Sequence, residues 1–174
     1  KTFTLAAGIH EGVIEPETEF KDLEKNIECG KNTISEYDKK IPSSLTAEQI
    51  LIRSGNIGSV RIGQSIGLEK FKKFMNTLNL INSISFDIEE VGVPISFKWG
   101  KCKLATASYG HGITTTILQL ANAYSILVNG GYKIHPTLIK KNKNIKNRKI
   151  LNNDVSKKIN PILRKIVTTK EGTA

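Results

Sequence analysis

Residues 43–67 run SSLTAEQILIRSGNIGSVRIGQSIG: two apolar, helix-compatible segments joined by the polar tripeptide Ser54-Gly55-Asn56. Thr46 followed by Gln49 is a capping box, which starts a short helix through Ile50, Leu51 and Ile52 that should end near Arg53. Ile57, Val60 and Ile62 open the next apolar run, with Gly63 and Gly67 expected to break or tighten it. A hydroxyl and a carboxamide two positions apart, held between packed segments, form either an ordinary helix-to-helix turn or part of an active site. The residue types alone do not decide, because Ser, Gly and Asn are common turn residues.

Upstream, Lys1–Ile9 reads as a helix, with Phe3, Ala6 and Ala7 on one face and Gly8 and Gly12 weakening and then ending it. Residues 13–22 hold Pro16 and read as a loop with a short strand. Residues 25–36, with Gly30 and Asn32 as turn residues, suggest a small hairpin. Downstream, Leu68, Phe71, Phe74, Met75 and Leu78 recur at helical spacing and predict a helix over 69–79, with Met75 as core filler.

Residues 81–99 lose that period, and a long connection of this kind covers something or lines a cleft. Trp99 reads as its packing anchor. The stretch ATASYGHG (105–112) is small and flexible, with Tyr109 and His111 exposed between glycines. The next helix carries Ile117, Leu120, Ala121, Tyr124, Leu127 and Val128 as its apolar face and stops at Asn129-Gly130-Gly131. Residues 132–140 suggest an edge strand broken by Pro136. Asp154 is the expected cap of a final helix bearing Val155, Ile159, Ile162 and Ile166, which Pro161 kinks unless the helix tolerates proline there.

The chain has 174 residues, 39% hydrophobic and 24% charged, as expected for one globular domain. It contains no apolar run long enough to span a bilayer. The net charge of +10 is spread along the chain, and the one dense block, KKNKNIKNRK (140–149), has no interleaved aromatics to stack on bases. It reads as a solvated basic loop, and no nucleic-acid partner is expected. Cys29 and Cys102 fit no zinc or redox spacing; they read as two free thiols, with a disulfide between them as the open alternative. His10, His111 and His135 lack ligand spacing, so neither a metal nor a cofactor is expected.

Taken in order, these segments resemble the transpeptidase domain of class B penicillin-binding proteins. The opening Lys1-Thr2-Phe3-Thr4-Leu5-Ala6-Ala7 resembles the sequence after the nucleophilic serine, making Lys1 the lysine of Ser-x-x-Lys. Ser54-Gly55-Asn56 matches the family's Ser-x-Asn motif. ASYGHGITTTILQLANAYSILVNGGYKIHPTLIKK (107–141) resembles its long downstream signature, and Lys170-Glu171-Gly172-Thr173-Ala174 the segment before Lys-Thr-Gly. The Tyr-Gly-His-Gly stretch and Trp99 look more like the septal, cell-division enzyme than the elongation enzyme. Departures are Ile117 where many members have proline, Gly55 in place of a frequent serine, and Pro161.

The resemblance implies an α+β fold: the mainly helical part of a transpeptidase domain, with few short strands and an incomplete central sheet. Residues 1–174 are then a partial domain truncated at both ends, with the nucleophile upstream of Lys1. It implies a peptidoglycan D,D-transpeptidase that cross-links D-Ala-D-Ala stem peptides through a serine ester and is the target of β-lactams. Lys1, Ser54 and Asn56 carry the chemistry. Lys1 is the base, Ser54 relays a proton to the departing amine, and Asn56 hydrogen-bonds Lys1 and the bound peptide. Cell-division proteins are the implied partners. The implied location is the periplasmic, extracytoplasmic face of the bacterial inner membrane, with anchoring by an N-terminal helix outside these residues. A D,D-carboxypeptidase or serine β-lactamase of the same superfamily, and a non-catalytic basic interaction or sensor domain, stay open as alternatives. The long TTTILQLANAYSILVNGG stretch favours the transpeptidase.

Overall fold

A computed structural model describes residues 1–140 and 147–174. The helix α1 (Thr2–His10) is its centre. Thr2, Thr4, Leu5, Ala6, Ala7, Gly8 and Ile9 are all buried, as a helix must be when it is enclosed on all sides rather than laid on a surface. Around it pack α2 (Ala47–Ile52), α3 (Asn56–Ile66), α4 (Leu68–Thr77) and α7 (Asn153–Thr168). Helix α5 (Lys101–Ser108) lies against α3, and α6 (Ile117–Val128) against α7. Phe71, Phe74, Ile50, Ile57 and Leu78 fill the core between them.

The strands are few and short. β1 (Glu19–Phe20) pairs antiparallel with β4 (Leu45–Thr46), and β2 (Asn26–Cys29) with β3 (Asn32–Ser35). The β2–β3 hairpin turns at Gly30, whose positive φ suits a two-residue loop.

The capping box at Thr46 forms as read, with Thr46 and Gln49 satisfying each other's backbone N–H groups. Gly63 does not break α3; it lets α5 approach, since a Cβ there would overlap the Ser108 hydroxyl. Only at Gly67 does α3 end.

Several expectations need correction. A helix, α5, replaces the flexible stretch expected from residue 105. Its buried face is Leu104, Ala105, Ala107 and Ser108, and the three small side chains among them allow the close packing against α3. Tyr109 is half-buried and stacks on His111 (ring centroids 5.9 Å apart).

Helix α6 is rotated from the expected face. Gln119, Asn122, Ala123, Ile126 and Leu127 point inward, while Ile117, Leu120 and Val128 are exposed. Gln119 sets this rotation: it completes a capping box with Thr116 and donates to the carbonyls of Asn79 and Asn82. Residues 132–140 form no strand; Tyr132 makes a single bridge to Lys149.

The N-cap of α7 is Asn152, with Asp154 inside the first turn. Pro161 is accommodated within the helix. It and Lys157 both face solvent, where the carbonyl that loses its donor can be hydrated. Of the basic block, residues 141–146 lie outside the described residues.

Cys29 and Cys102 are not free thiols but a disulfide, with Cα atoms 5.4 Å apart. Sequence spacing gave no hint, because the fold alone brings the hairpin tip to the first turn of α5. The bond closes a separation of 73 positions, and a loop of that length corresponds to about 4 kcal/mol of chain entropy removed from the unfolded state. Replacing both cysteines by serine should therefore lower unfolding stability by about 2–4 kcal/mol in denaturant titrations, while dithiothreitol should destabilise only the parent protein.

Candidate active site

Of the three residues singled out in the sequence, Lys1 and Ser54 meet directly. Lys1 is the N-cap of α1, and its Nζ donates to the Ser54 hydroxyl (2.7 Å) and to the Ser54 carbonyl (2.8 Å). The amine is half-buried. Burial pushes its pKa below the usual lysine value, and the Glu36 carboxylate nearby offsets part of that. Neutral amine is thus more available than on an exposed lysine. Beside Lys1 opens a cavity of ≈ 250 Å³, lined among others by Thr2, Phe71, Met75, Ile113, Leu120 and Tyr124.

The turn that presents Ser54 is a helix ending with an unusual residue in it. At the end of α2, Ser54 N–H bonds Leu51 O and Gly55 N–H bonds Ile50 O. This is the two-bond Schellman closure, in which the residue after the cap adopts a left-handed conformation. Four other helices end with the corresponding residue left-handed: Gly12 after α1, Asn79 after α4, Gly110 after α5 and Gly130 after α6. Glycine and asparagine tolerate that conformation. Ser54 adopts it too, at φ 55°, at a cost of about 1 kcal/mol for a residue with a Cβ. In return, its carbonyl and its hydroxyl both face the Lys1 amine.

Asn56 is the first residue of α3, and the N-cap before it is Gly55, which has no side chain to cap with. The orphan N–H groups are satisfied from another part of the chain. Glu36, just after β3, accepts from Asn56 N–H (2.7 Å) through Oε2 and from Ile57 N–H (2.9 Å) through Oε1. Asn56 Nδ2 donates to the Ser35 carbonyl (2.9 Å), and the amine's partners are both on Ser54. Tyr37 Oη donates to the Arg53 carbonyl (3.3 Å). Arg53 also pairs with Glu171 (2.5 Å), bringing the C-terminal segment to the same turn.

Ser35, Glu36 and Tyr37 were not singled out from the sequence. The available signal was the missing cap: a helix beginning after glycine must obtain its first acceptor elsewhere. Among the described residues no His, Cys, Asp and Glu cluster could hold a metal ion.

The chain is 28% identical over 176 aligned residues to the probable peptidoglycan D,D-transpeptidase FtsI of Caulobacter vibrioides, covering 99% of this chain and 29% of that protein. It is 27% identical over 167 residues to the probable peptidoglycan D,D-transpeptidase PenA of Neisseria flavescens, covering 94% of this chain and 40% of that one. It therefore spans well under half the length of these relatives. The TP domain of Burkholderia pseudomallei penicillin-binding protein 3 superposes with a TM-score of 0.89 at 20% identity, over 99% of this chain and 53% of that one; that likeness concerns the fold. The family described as penicillin binding protein transpeptidase domain matches residues 1–174, and the chain belongs to it.

Proposed function

We propose that this chain is part of a peptidoglycan D,D-transpeptidase that cross-links stem peptides ending in D-Ala-D-Ala and is acylated by β-lactams. The observation that carries the reading is the 2.7 Å contact between the Lys1 amine and the Ser54 hydroxyl. Lys1 serves as general base for a serine one helical turn before it, outside these residues. A lysine at that spacing lies on the serine's face of the helix.

The serine Oγ adds to the penultimate D-Ala carbonyl, and its proton passes to the neutral Lys1 amine. Ser54 relays a proton to the departing amine as the C–N bond breaks. An ester remains and D-Ala leaves. An amine of a neighbouring stem peptide then attacks the ester, forming the cross-link and restoring the serine. Asn56 contributes its amide to orienting the bound peptide. The lowered amine pKa favours this role, because a protonated amine cannot take the proton.

The Tyr-Gly-His-Gly stretch at 109–112 and Trp99 support a septal, cell-division enzyme over an elongation enzyme. Cell-division proteins are its partners, and it works on the outer face of the cytoplasmic membrane, held by a helix outside these residues. The Cys29–Cys102 disulfide favours an oxidising compartment of that kind. Among the described residues no helix is long and apolar enough to cross a membrane.

A fluorescent penicillin should label the longer protein that carries this chain, and Lys1→Ala should slow labelling by about 10²–10⁴-fold, the range for loss of a general base. The isolated 174-residue chain should take no covalent label; a label there contradicts an upstream nucleophile. Ser54→Gly and Ser54→Ala should both cripple acylation. They should differ in stability, with the glycine variant about 1 kcal/mol more stable because it relieves the left-handed strain. Equal melting of the two variants would contradict that strain.

A further inference from the structure

The hairpin that carries Glu36 has no part in the three-residue reading of the site, yet its exit grips the Ser54 turn at three consecutive positions. The Ser35 carbonyl holds the Asn56 amide, the Glu36 carboxylate holds two N–H groups at the start of α3, and the Tyr37 hydroxyl holds the Arg53 carbonyl. Gly55 cannot supply a cap of its own. Its φ of −63° would nevertheless admit any residue, and a Cβ built there meets Glu36 Oε1 at 3.6 Å and Ile50 O at 3.7 Å, ordinary contact distances. A local serine cap would fit, so the dependence on Glu36 is a feature of this sequence and not a demand of space.

We propose that Glu36 is a positioning residue for acyl transfer: its carboxylate fixes the Ser54–Asn56 turn against Lys1 and places a negative charge beside the Lys1 amine. The inference rests on the function proposed above. A neutral cap reproduces the first effect and not the second. A carboxylate on the two N–H groups at a helix start is favoured by the partial positive charge of that end. The same carboxylate raises the Lys1 pKa against the lowering by burial, and it is the charged side chain that acts on that amine. The disulfide between Cys29 in β2 and Cys102 in α5 anchors the hairpin, so the clamp has a fixed base.

The sign follows from the charge. Removing the carboxylate lets the Lys1 pKa fall further, so the neutral base persists to lower pH. The test is the rate of acylation by a fluorescent penicillin against pH, in the longer protein, for the parent, Glu36→Gln, and Glu36→Gln combined with Gly55→Ser. Melting temperatures are measured in parallel. Glu36→Gln keeps the side chain's shape and one acceptor oxygen, and so guards against simple misfolding. It should acylate about tenfold more slowly at its plateau, with the acid limb of the profile displaced to lower pH. Adding Gly55→Ser should recover the melting temperature through a local cap while the limb stays displaced. An unmoved limb in Glu36→Gln overturns the inference whatever its rate, as does a double variant that regains both parent rate and parent limb. If the parent itself is not acylated, the underlying function fails, a result distinct from failure of the role of Glu36.

Discussion

The amine of Lys1 and the hydroxyl of Ser54 lie 2.7 Å apart although 53 positions separate them in the chain. Keeping a lysine amine half-buried and aimed at one hydroxyl requires that neither end can relax. On one side, Lys1 begins a helix enclosed by four others, tied to α5 by the Thr4 hydroxyl on the Ser108 carbonyl (2.6 Å) and to α6 by Tyr124 on Thr2 (3.2 Å). On the other side, Ser54 sits in a closed helix ending whose left-handed residue faces the amine. The packing of α1 against α2 and α3 joins the two. The same burial that fixes the amine also depresses its pKa, so one physical cause serves both geometry and reactivity.

Strain at Ser54 fits this picture. Four comparable helix endings use glycine or asparagine at the equivalent position, so the fold has a ready solution without strain. A serine there, with its hydroxyl on the lysine, is what a functional demand looks like when it overrides local conformational preference. Ser54 therefore stands apart on conformation as well as on motif.

Much of this was legible in the sequence because it is local. The capping box at Thr46, the apolar stripe through Phe71 and Phe74, the hairpin turn at Gly30 and the junction at Ser54 all follow from neighbours a few positions apart. What escaped depends on distant partners. The Cys29–Cys102 pairing and the Glu36 clamp are made by the fold, across separations with no periodic signature. The inward face of α6 was misread because Gln119 and Asn122 are polar and buried while Ile117 and Leu120 are apolar and exposed. Hydrophobic counting assigns such a helix the wrong side, whereas the Gln119 capping box with Thr116 and its bonds to the Asn79 and Asn82 carbonyls hold the polar side inward. Helix α5 escaped because small residues and flanking glycines read as loop until α3 is seen to require close approach.

The most direct measurement is the titration of the Lys1 side chain itself. It can be followed by NMR at the lysine Cε in the longer protein with labelled lysine, and assigned by its loss in Lys1→Arg. If burial against the Ser54 turn holds a reactive amine, the midpoint falls below the ordinary lysine range and rises toward it when the protein is unfolded in denaturant. A midpoint at or above the ordinary range in the folded protein contradicts Lys1 as the base.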